Sequence, residues 1–159
     1  MGLFAMIDAC GVLPIFGWRE RVALPRLGIA RLKAKLDTGA RSSALHVESL
    51  EVFRRAGAEW LRFDLALGRH RPQRVVCEAP VLDRRRVTDS GGHANERWFI
   101  ETDVILGALA LRAEISLTDR RGMLFPMLLG RTALAGCALI DPARSYTLSH
   151  PSPAPESHR

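Results

Sequence analysis

The sequence has little lysine, few aromatic residues and no cysteine motif. Only Lys33 and Lys35 among its 23 basic residues are lysines, so arginine carries nearly all of the positive charge. The three cysteines, Cys10, Cys77 and Cys137, are widely spaced and form no Cys-x-x-Cys pair. This spacing argues against a disulfide framework and against a cysteine zinc site. It suits a reducing compartment, and we expect a cytoplasmic protein.

Long hydrophobic runs are also missing. No stretch reaches the roughly 18 consecutive apolar residues of a membrane helix. Residues 1–16 are mostly apolar, but Asp8 interrupts them and no basic residue precedes them, which is unlike a signal peptide. We therefore expect no membrane contact.

The length of 159 residues suits one domain with a hydrophobic core. We predict an N-terminal extension over residues 1–15 and a folded domain over residues 16–150. A disordered tail is expected over residues 151–159, where proline and serine are frequent and little apolar surface can pack.

The excess of positive charge raises the question of an acidic partner. The formal net charge is +6 at pH 7, and arginine suits both carboxylates and phosphates. The alternative is that arginine replaces lysine over the whole surface for reasons unrelated to a partner. Nucleic acid is the less favoured partner, because the three Trp, one Tyr and six Phe fall mostly in predicted strands rather than among the arginines.

The pattern of hydrophobic residues is that of a β protein. Six β-rich runs cover residues 21–36, 59–67, 74–82, 97–106, 109–117 and 145–149, with turn-prone stretches between them. The one good helix candidate is the short segment 131–135, which Gly136 would end. Many short strands at regular spacing predict an all-β barrel or sandwich.

The stretch KAKLDTGARSSALH, residues 33–46, contains the first candidate site. An Asp-Thr-Gly triplet alone is commonly an ordinary surface turn. Here the two-residue alternation of a strand places Lys33, Lys35 and Asp37 on one face, with Ala34 and Leu36 on the other. The turn therefore begins at the end of a strand with a buried face, which a surface turn does not require.

A second stretch, MLLGRTAL, covers residues 127–134 and can be a core strand followed by a helix cap. Together with FGWRE, ALPRLGI, KAKLDTGARSSALH, VVCEAP and DPARSY, it resembles a bacterial retropepsin-like family that has been labelled an ATP-dependent zinc protease. Members of that family are often linked to the ATP-grasp ligase that adds glutamates to a ribosomal protein. The similarity covers about residues 16–147.

The resemblance implies a retropepsin-like closed β-barrel with one short helix after the Leu-Leu-Gly-Arg motif. It also implies a homodimer, because a carboxylate dyad needs two aspartates and this chain offers only Asp37. By the same analogy Thr38 braces the two loops across the axis, Gly39 lets the backbone approach substrate, and Ala40 lines the cleft. The resemblance thus identifies an aspartic endopeptidase.

The sequence departs from viral retropepsins at Arg41, where an acidic residue usually pairs with the arginine of Gly-Arg. Two arginines, Arg41 and Arg131, would then lie near Lys35 and Asp37. We predict that these cations bind acidic side chains, so that the substrate is a glutamate-rich peptide or a glutamylated protein. The alternative is that Glu48, Glu51 or another local acid neutralises Arg41.

Two other functions stay open on the sequence. The chain could be a non-catalytic binding module for acidic protein tails, with Asp37 in a structural role. It could also be a zinc-dependent peptidase using His46, with Glu48 on the same strand face, although His-Glu-x-x-His is absent. We expect His46 to be a substrate-binding residue near the catalytic loop and expect neither a metal nor another cofactor. No phosphate-binding loop motif supports the ATP label.

The covering flap of a retropepsin has two candidates in this sequence. Residues 83–98 read as an arginine-rich hairpin with a glycine-containing tip, and residues 68–74 read as a loop. The sequence does not distinguish between them.

Overall fold

The computed structural model describes residues 11–68, 70–89, 91–119 and 121–148. Within these ranges lie twelve strands, one four-residue α-helix and one 3-10 turn at Pro25–Leu27. The strands and helix are β1 Ile15–Gly17, β2 Arg19–Leu24, β3 Ile29–Asp37, β4 Ser43–His46, β5 Ser49–Arg55, β6 Ala58–Leu67, β7 Gln73–Pro80, β8 Asp83–Thr88, β9 Ala94–Leu106, β10 Leu109–Thr118, β11 Met127–Gly130, α1 Arg131–Leu134 and β12 Leu139–Asp141. The predicted all-β class and its short helix are confirmed. The predicted tail and most of the predicted extension lie outside the described residues.

Six strands form a closed ring around the core. Their order is β10, β4, β11, β3, β2 and β9, and the pairing of β9 with β10 closes the ring. Leu24, Leu45, Ile100, Ile115 and Leu129 are fully buried inside it. Strand β8 extends the ring by pairing with β9, and β5, β6 and β7 form a separate three-stranded sheet. The described part of the chain has no helix that is long and apolar enough to span a membrane.

One predicted run, residues 21–36, is two strands rather than one. Pro25 starts the 3-10 turn that separates β2 from β3, and Gly28 follows it with a left-handed φ of 71°. Proline lacks the donor that a continuous strand needs, and glycine adopts this φ at little cost. The chain therefore reverses here, and β2 pairs with β3 as an antiparallel hairpin.

The predicted strand at residues 145–149 is wrong for its described part. Residues 145–148 form no strand, and Tyr146 has a φ of 51°, which breaks an extended ladder. The backbone amides of Thr147 and Leu148 instead donate to the buried carboxylate of Glu20. The last strand of the described residues lies earlier, at β12, where it pairs in parallel with β1.

Candidate active site

Asp37 ends β3 and begins a tight turn. Its Oδ1 accepts a hydrogen bond from the Gly39 amide at 3.0 Å, and the Ala40 amide donates to the Asp37 carbonyl at 3.2 Å. The side chain is 28 % exposed, so the turn holds a carboxylate that is accessible at the protein surface. The predicted alternation along β3 is confirmed, because Ala34 and Leu36 are buried while Lys33 and Asp37 are not.

Lys35 lies beside Asp37 on the same face of β3. Its Nζ is 3.8 Å from Asp37 Oδ2, and its side chain is 43 % exposed. Ion pairs that solvent can reach contribute at most about 1 kcal/mol. Lys35 therefore adds positive electrostatic potential at the Asp37 carboxylate, but the two do not form a strong buried ion pair.

Strand β11 packs next to the Asp37 turn. In its parallel pairing with β3, Gly130 lies opposite Asp37. A Cβ at Gly130 would lie 2.6 Å from the carbonyl of Ser42 and 3.0 Å from the Ala40 oxygen. The Gly130 amide also donates to the buried Ser43 Oγ at 3.0 Å. The glycine of the Leu-Leu-Gly motif is therefore required for the close approach of β11 to residues 37–42, which we call the Asp37 loop.

Helix α1 holds the loop from its other side. The amides of Arg131 and Thr132 donate to the carbonyls of Ala40 and Arg41 at 2.8 and 3.1 Å, and Thr132 Oγ1 also donates to Arg41 at 2.7 Å. The Arg131 guanidinium donates to the Gly39 carbonyl at 3.1 Å. Arg131 thus braces the loop, and its predicted contact with substrate stays a prediction.

Arg41 is exposed, and neither carboxylate proposed to neutralise it does so. Glu48 binds His46 at 2.7 Å, and Glu51 lies 3.8 Å from Arg62. Among the described residues, no Asp or Glu forms an ion pair with Arg41. Its charge is available to a ligand.

A cavity of about 870 Å³ lies between the Asp37 loop and strand β8. Arg41 and Thr132 line one side, and Arg86 and Thr88 of β8 line the other. Arg86 has no ion pair within the described ranges. The sequence analysis missed this residue, because it is one of three consecutive arginines and only the pairing of the strands decides which of them lacks an acidic partner.

Two other arginines of the same cavity are neutralised. Arg85 binds Glu114 and Asp83 at 2.7 and 3.0 Å, and Arg112 binds Glu101 and Asp103. Hydrogen bonds to the carboxylates raise the pKa of both guanidinium groups. This contrast leaves Arg41 and Arg86 as the arginines that line the cavity without an ion pair to another described residue.

The predicted hairpin at residues 83–98 is confirmed as the β8–β9 hairpin. At its tip, Asp89 Oδ1 accepts hydrogen bonds from the amides of His93 and Gly91, each at 2.9 Å. These bonds lower the pKa of Asp89. The other candidate loop begins at Gly68, which lines a different cavity.

His46 lies at the end of β11 away from the Asp37 turn, and its predicted contact with substrate stays a prediction. Its amide donates to Pro126 just before β11, whereas Gly130 and Asp37 lie at the other end of that strand. Three residues of strand separate the two ends by about 10 Å. Nε2 of His46 is bound to Glu48, and Nδ1 is 3.9 Å from Asp119. No group of three His, Cys, Asp or Glu converges as a metal site in the described part of the chain.

Thr38 is exposed and makes no side-chain hydrogen bond to another described residue. The residues brought together are therefore Asp37, Gly39, Ala40, Lys35, Arg41 and Arg131, with Arg86 added across the cavity. The role of Thr38 across an axis depends on a second chain.

Comparison with known proteins places this geometry in a family. Residues 15–151 match a family described as RimB-like, retropepsin-like aspartic endopeptidase RimB. A crystal structure of a protein of unknown function from Legionella pneumophila has a TM-score of 0.72 and 27 % identity, and the similarity covers 84 % of this chain and 97 % of that one.

Curated relatives carry a different name. A probable alpha-L-glutamate ligase of Shewanella pealeana is 38 % identical in a match that covers 84 % of this chain. One of Desulfotalea psychrophila is 37 % identical in a match that covers 87 % of this chain. A third, from Parasynechococcus marenigrum, is 37 % identical over 84 % of the chain. The chain spans only about 30 % of the length of these relatives. The similarity therefore concerns one segment of each ligase.

Proposed function

Because the chain belongs to the RimB-like family of retropepsin-like aspartic endopeptidases, we propose that it hydrolyses acidic, glutamate-rich peptides or protein tails. One observation carries the proposal. The accessible carboxylate of Asp37 lies on a braced loop beside a cavity whose two walls present Arg41 and Arg86 without acidic partners among the described residues.

The proposed mechanism uses Asp37 from each of two subunits. Two carboxylates at a two-fold axis share one proton, because like charges about 3 Å apart cannot both ionise. The ionised aspartate takes a proton from a water, whose oxygen attacks the peptide carbonyl carbon. The protonated aspartate gives its proton to the leaving amide nitrogen, and the C–N bond breaks. The two aspartates exchange roles for the next turnover.

The β1–β12 sheet and the exposed Thr38 support the proposed homodimer. Ile15 of β1 and Leu139 of β12 are register partners, and they are 50 % and 52 % exposed. The β1–β12 sheet has only these two strands in the described structure, so each strand has an edge free to pair with a second copy. The exposed Thr38 fits a contact between the two catalytic loops.

The proposed substrate follows from charge and from the relatives. Arginine forms bidentate hydrogen bonds with carboxylates, so Arg41 and Arg86 suit glutamate side chains on either side of the cut bond. The relatives named glutamate ligases contain a segment like this chain. We propose that the peptidase acts on glutamate-containing products of such a ligase. It would do so either as a separate protein that is functionally linked to the ligase or as a segment of the ligase chain itself.

The test compares oligoglutamate with oligoglutamine of equal length, using mass spectrometry to detect products. We expect cleavage of oligoglutamate by the wild type and loss of at least about a thousandfold in Asp37→Asn, since a dimer of the variant has neither carboxylate of the dyad. Glu59→Gln is the matched control, because Glu59 is an exposed acid on β6. Equal cleavage of both peptides would contradict the proposed preference for acidic substrates.

The same assay distinguishes the alternatives. Binding of oligoglutamate without any cleavage would identify a binding module. Cleavage that persists in Asp37→Asn but is lost with a chelator and in His46→Ala would identify a metal-dependent peptidase.

A further inference from the structure

A second cavity, of about 640 Å³, lies on the outer face of β2 and β3. Its lining includes Arg19, Arg21, Arg31 and Lys33, which we call the β2–β3 basic face, together with Arg121. No Asp or Glu is present among the described residues that line it. We infer that this face binds a run of acidic side chains of the substrate at a distance from the bond that is cut. The inference rests on the proposed function and adds a second binding region to it.

The basic face continues to Asp37 through strand register. Arg21 lies opposite Lys33, and Arg19 lies opposite Lys35. Opposite residues of an antiparallel pair have Cβ atoms about 5 Å apart on the same side of the sheet. Lys35 is in turn 3.8 Å from Asp37. The cations therefore form a double row that ends at the proposed catalytic carboxylate.

The length of this double row of cations indicates how long a peptide can bind along it. At about 3.3 Å per residue, Lys33 lies about 13 Å and Arg31 about 20 Å along β3 from Asp37. An extended peptide of about four to six residues covers the same distance. The cavity therefore fits an extended acidic tail better than a single carboxylate.

Electrostatics also favour an anion at this face. Like charges directly opposite each other destabilise a sheet, yet two such pairs follow one another here. The buried Nε of Arg19 has no hydrogen-bond acceptor among the described residues. A bound carboxylate would supply that acceptor and offset the repulsion between the facing cations.

The ring of Tyr146 makes cation–π contacts with three cations of the β2–β3 basic face. Its ring centre is 4.9 Å from the Arg19 guanidinium, 4.4 Å from that of Arg21 and 6.0 Å from Lys33 Nζ. Arg19 also stacks on Trp18 at 4.6 Å. The ring of Tyr146 is thus occupied by cations and is not a free platform for a nucleic-acid base, which favours an acidic peptide as the ligand.

Not every cation near the cavity is available. Arg121 is bound to Asp119 at 3.1 Å. Arg31 and Lys33 are exposed and form no ion pair with another described residue. These two residues are therefore the positions at which removal of a charge tests the inference with the least effect on folding.

The experiment measures binding without cleavage, in protein that carries Asp37→Asn. Fluorescein-labelled oligoglutamates of two to ten residues are titrated by fluorescence anisotropy. Arg31→Gln and Lys33→Gln are added singly to the same background. Arg54→Gln on β5 is the control, because Arg54 is an exposed arginine whose side chain bonds only the Gly57 carbonyl among the described residues. Circular dichroism melting confirms that each variant folds.

We expect affinity to rise with peptide length up to about six residues and then to level off. Arg31→Gln and Lys33→Gln should each weaken binding of the longest peptide by roughly fivefold, the effect of one accessible ion pair, and leave the shortest unchanged. Arg54→Gln should have no effect. Equal affinities in all variants, affinity independent of length, or tighter binding of oligothymidylate of the same length would overturn the inference.

This outcome is separable from that of the proposed function. If the variants weaken binding but the wild type never cleaves oligoglutamate, the basic face stands and the peptidase assignment fails. If the wild type cleaves and the variants bind like the control, the peptidase assignment stands and the basic face fails.

Discussion

Gly130 lies directly opposite Asp37 where β11 pairs with β3. The backbone of the Asp37 loop passes so close that even one methyl group at Gly130 would meet the Ser42 carbonyl at 2.6 Å. The position of the carboxylate therefore depends on the absence of a side chain on the neighbouring strand.

Gly130→Ala should displace the Asp37 loop. We expect a loss of about 1–3 kcal/mol in unfolding free energy, as for other overpacked sites, and loss of oligoglutamate cleavage. Gly57→Ala is the control, because Gly57 has a left-handed φ of 79° and open space around it. That variant should lose about 1 kcal/mol from backbone strain and retain activity. Denaturant titration and peptide cleavage measure both effects, and a fully active Gly130→Ala would contradict the account.

Glu20 should be a large contributor to stability. Its carboxylate is fully buried and accepts hydrogen bonds from the amides of Gly17, Thr147 and Leu148 and from the Thr147 hydroxyl. Glu20→Ala should cost about 3–5 kcal/mol, because the buried Gly17 amide and the part-buried donors of Thr147 and Leu148 lose their acceptor. The free energy of unfolding measures this, with Glu59→Gln as the exposed control. A loss below about 1 kcal/mol would mean that Glu20 does not anchor the C-terminal segment.

Cys77 should resist alkylation in the folded protein. Burial, with a smaller effect of Asp64, raises the pKa of its thiol from 9.0 to about 11. At pH 8 only about one thiol in a thousand is then ionised, whereas the less buried Cys137 should react faster. Peptide mapping after timed iodoacetamide treatment separates the two.

The same raised pKa has a consequence for stability at alkaline pH. The unfolded thiol releases its proton near pH 9 and the folded thiol only near pH 11, so this contribution is present below pH 9 and is lost as pH rises towards 11. Cys77→Ala should remove that part of the pH dependence. An unchanged slope between pH 9 and 11 would contradict the assignment.

Leu139→Glu should weaken the proposed dimer. Leu139 is 52 % exposed in one chain, so the substitution should spare the fold and place a charge at the interface. Burial of a leucine contributes about 2 kcal/mol, so we expect at least a roughly tenfold higher dissociation constant. Sedimentation measures it, and cleavage activity should return at higher protein concentration. Val76→Glu is the control, because Val76 is 57 % exposed on β7 and should leave the dimer unchanged.

Local sequence predicted the elements that depend on local rules. The alternation along β3, the Asp-Thr-Gly turn and the helix after Gly130 each follow from spacing or from the preferences of glycine. The break between β2 and β3 could also have been inferred from Pro25 and Gly28. The fold class required only many short strands, and the family resemblance supplied the closed barrel.

The remaining features depend on contacts between distant parts of the chain. Arg86 differs from Arg84 and Arg85 only in which carboxylates the neighbouring strands bring near. Glu20 looks like a surface acid in the sequence until the segment around Thr147 folds over it. The facing cations of the β2–β3 basic face become visible only when the register of the hairpin is known.

The most direct test of the central claim is a subunit-mixing experiment. Wild-type protein is held at constant concentration, Asp37→Asn protein is added in equal amount, and subunits are allowed to exchange before cleavage of oligoglutamate is measured. If the dyad takes Asp37 from two chains, about one quarter of the dimers contain two wild-type subunits, and activity should fall to about half. A ninefold excess of the variant should reduce it to about one tenth. Activity that does not change with added variant would show that each chain acts alone and would contradict the shared site.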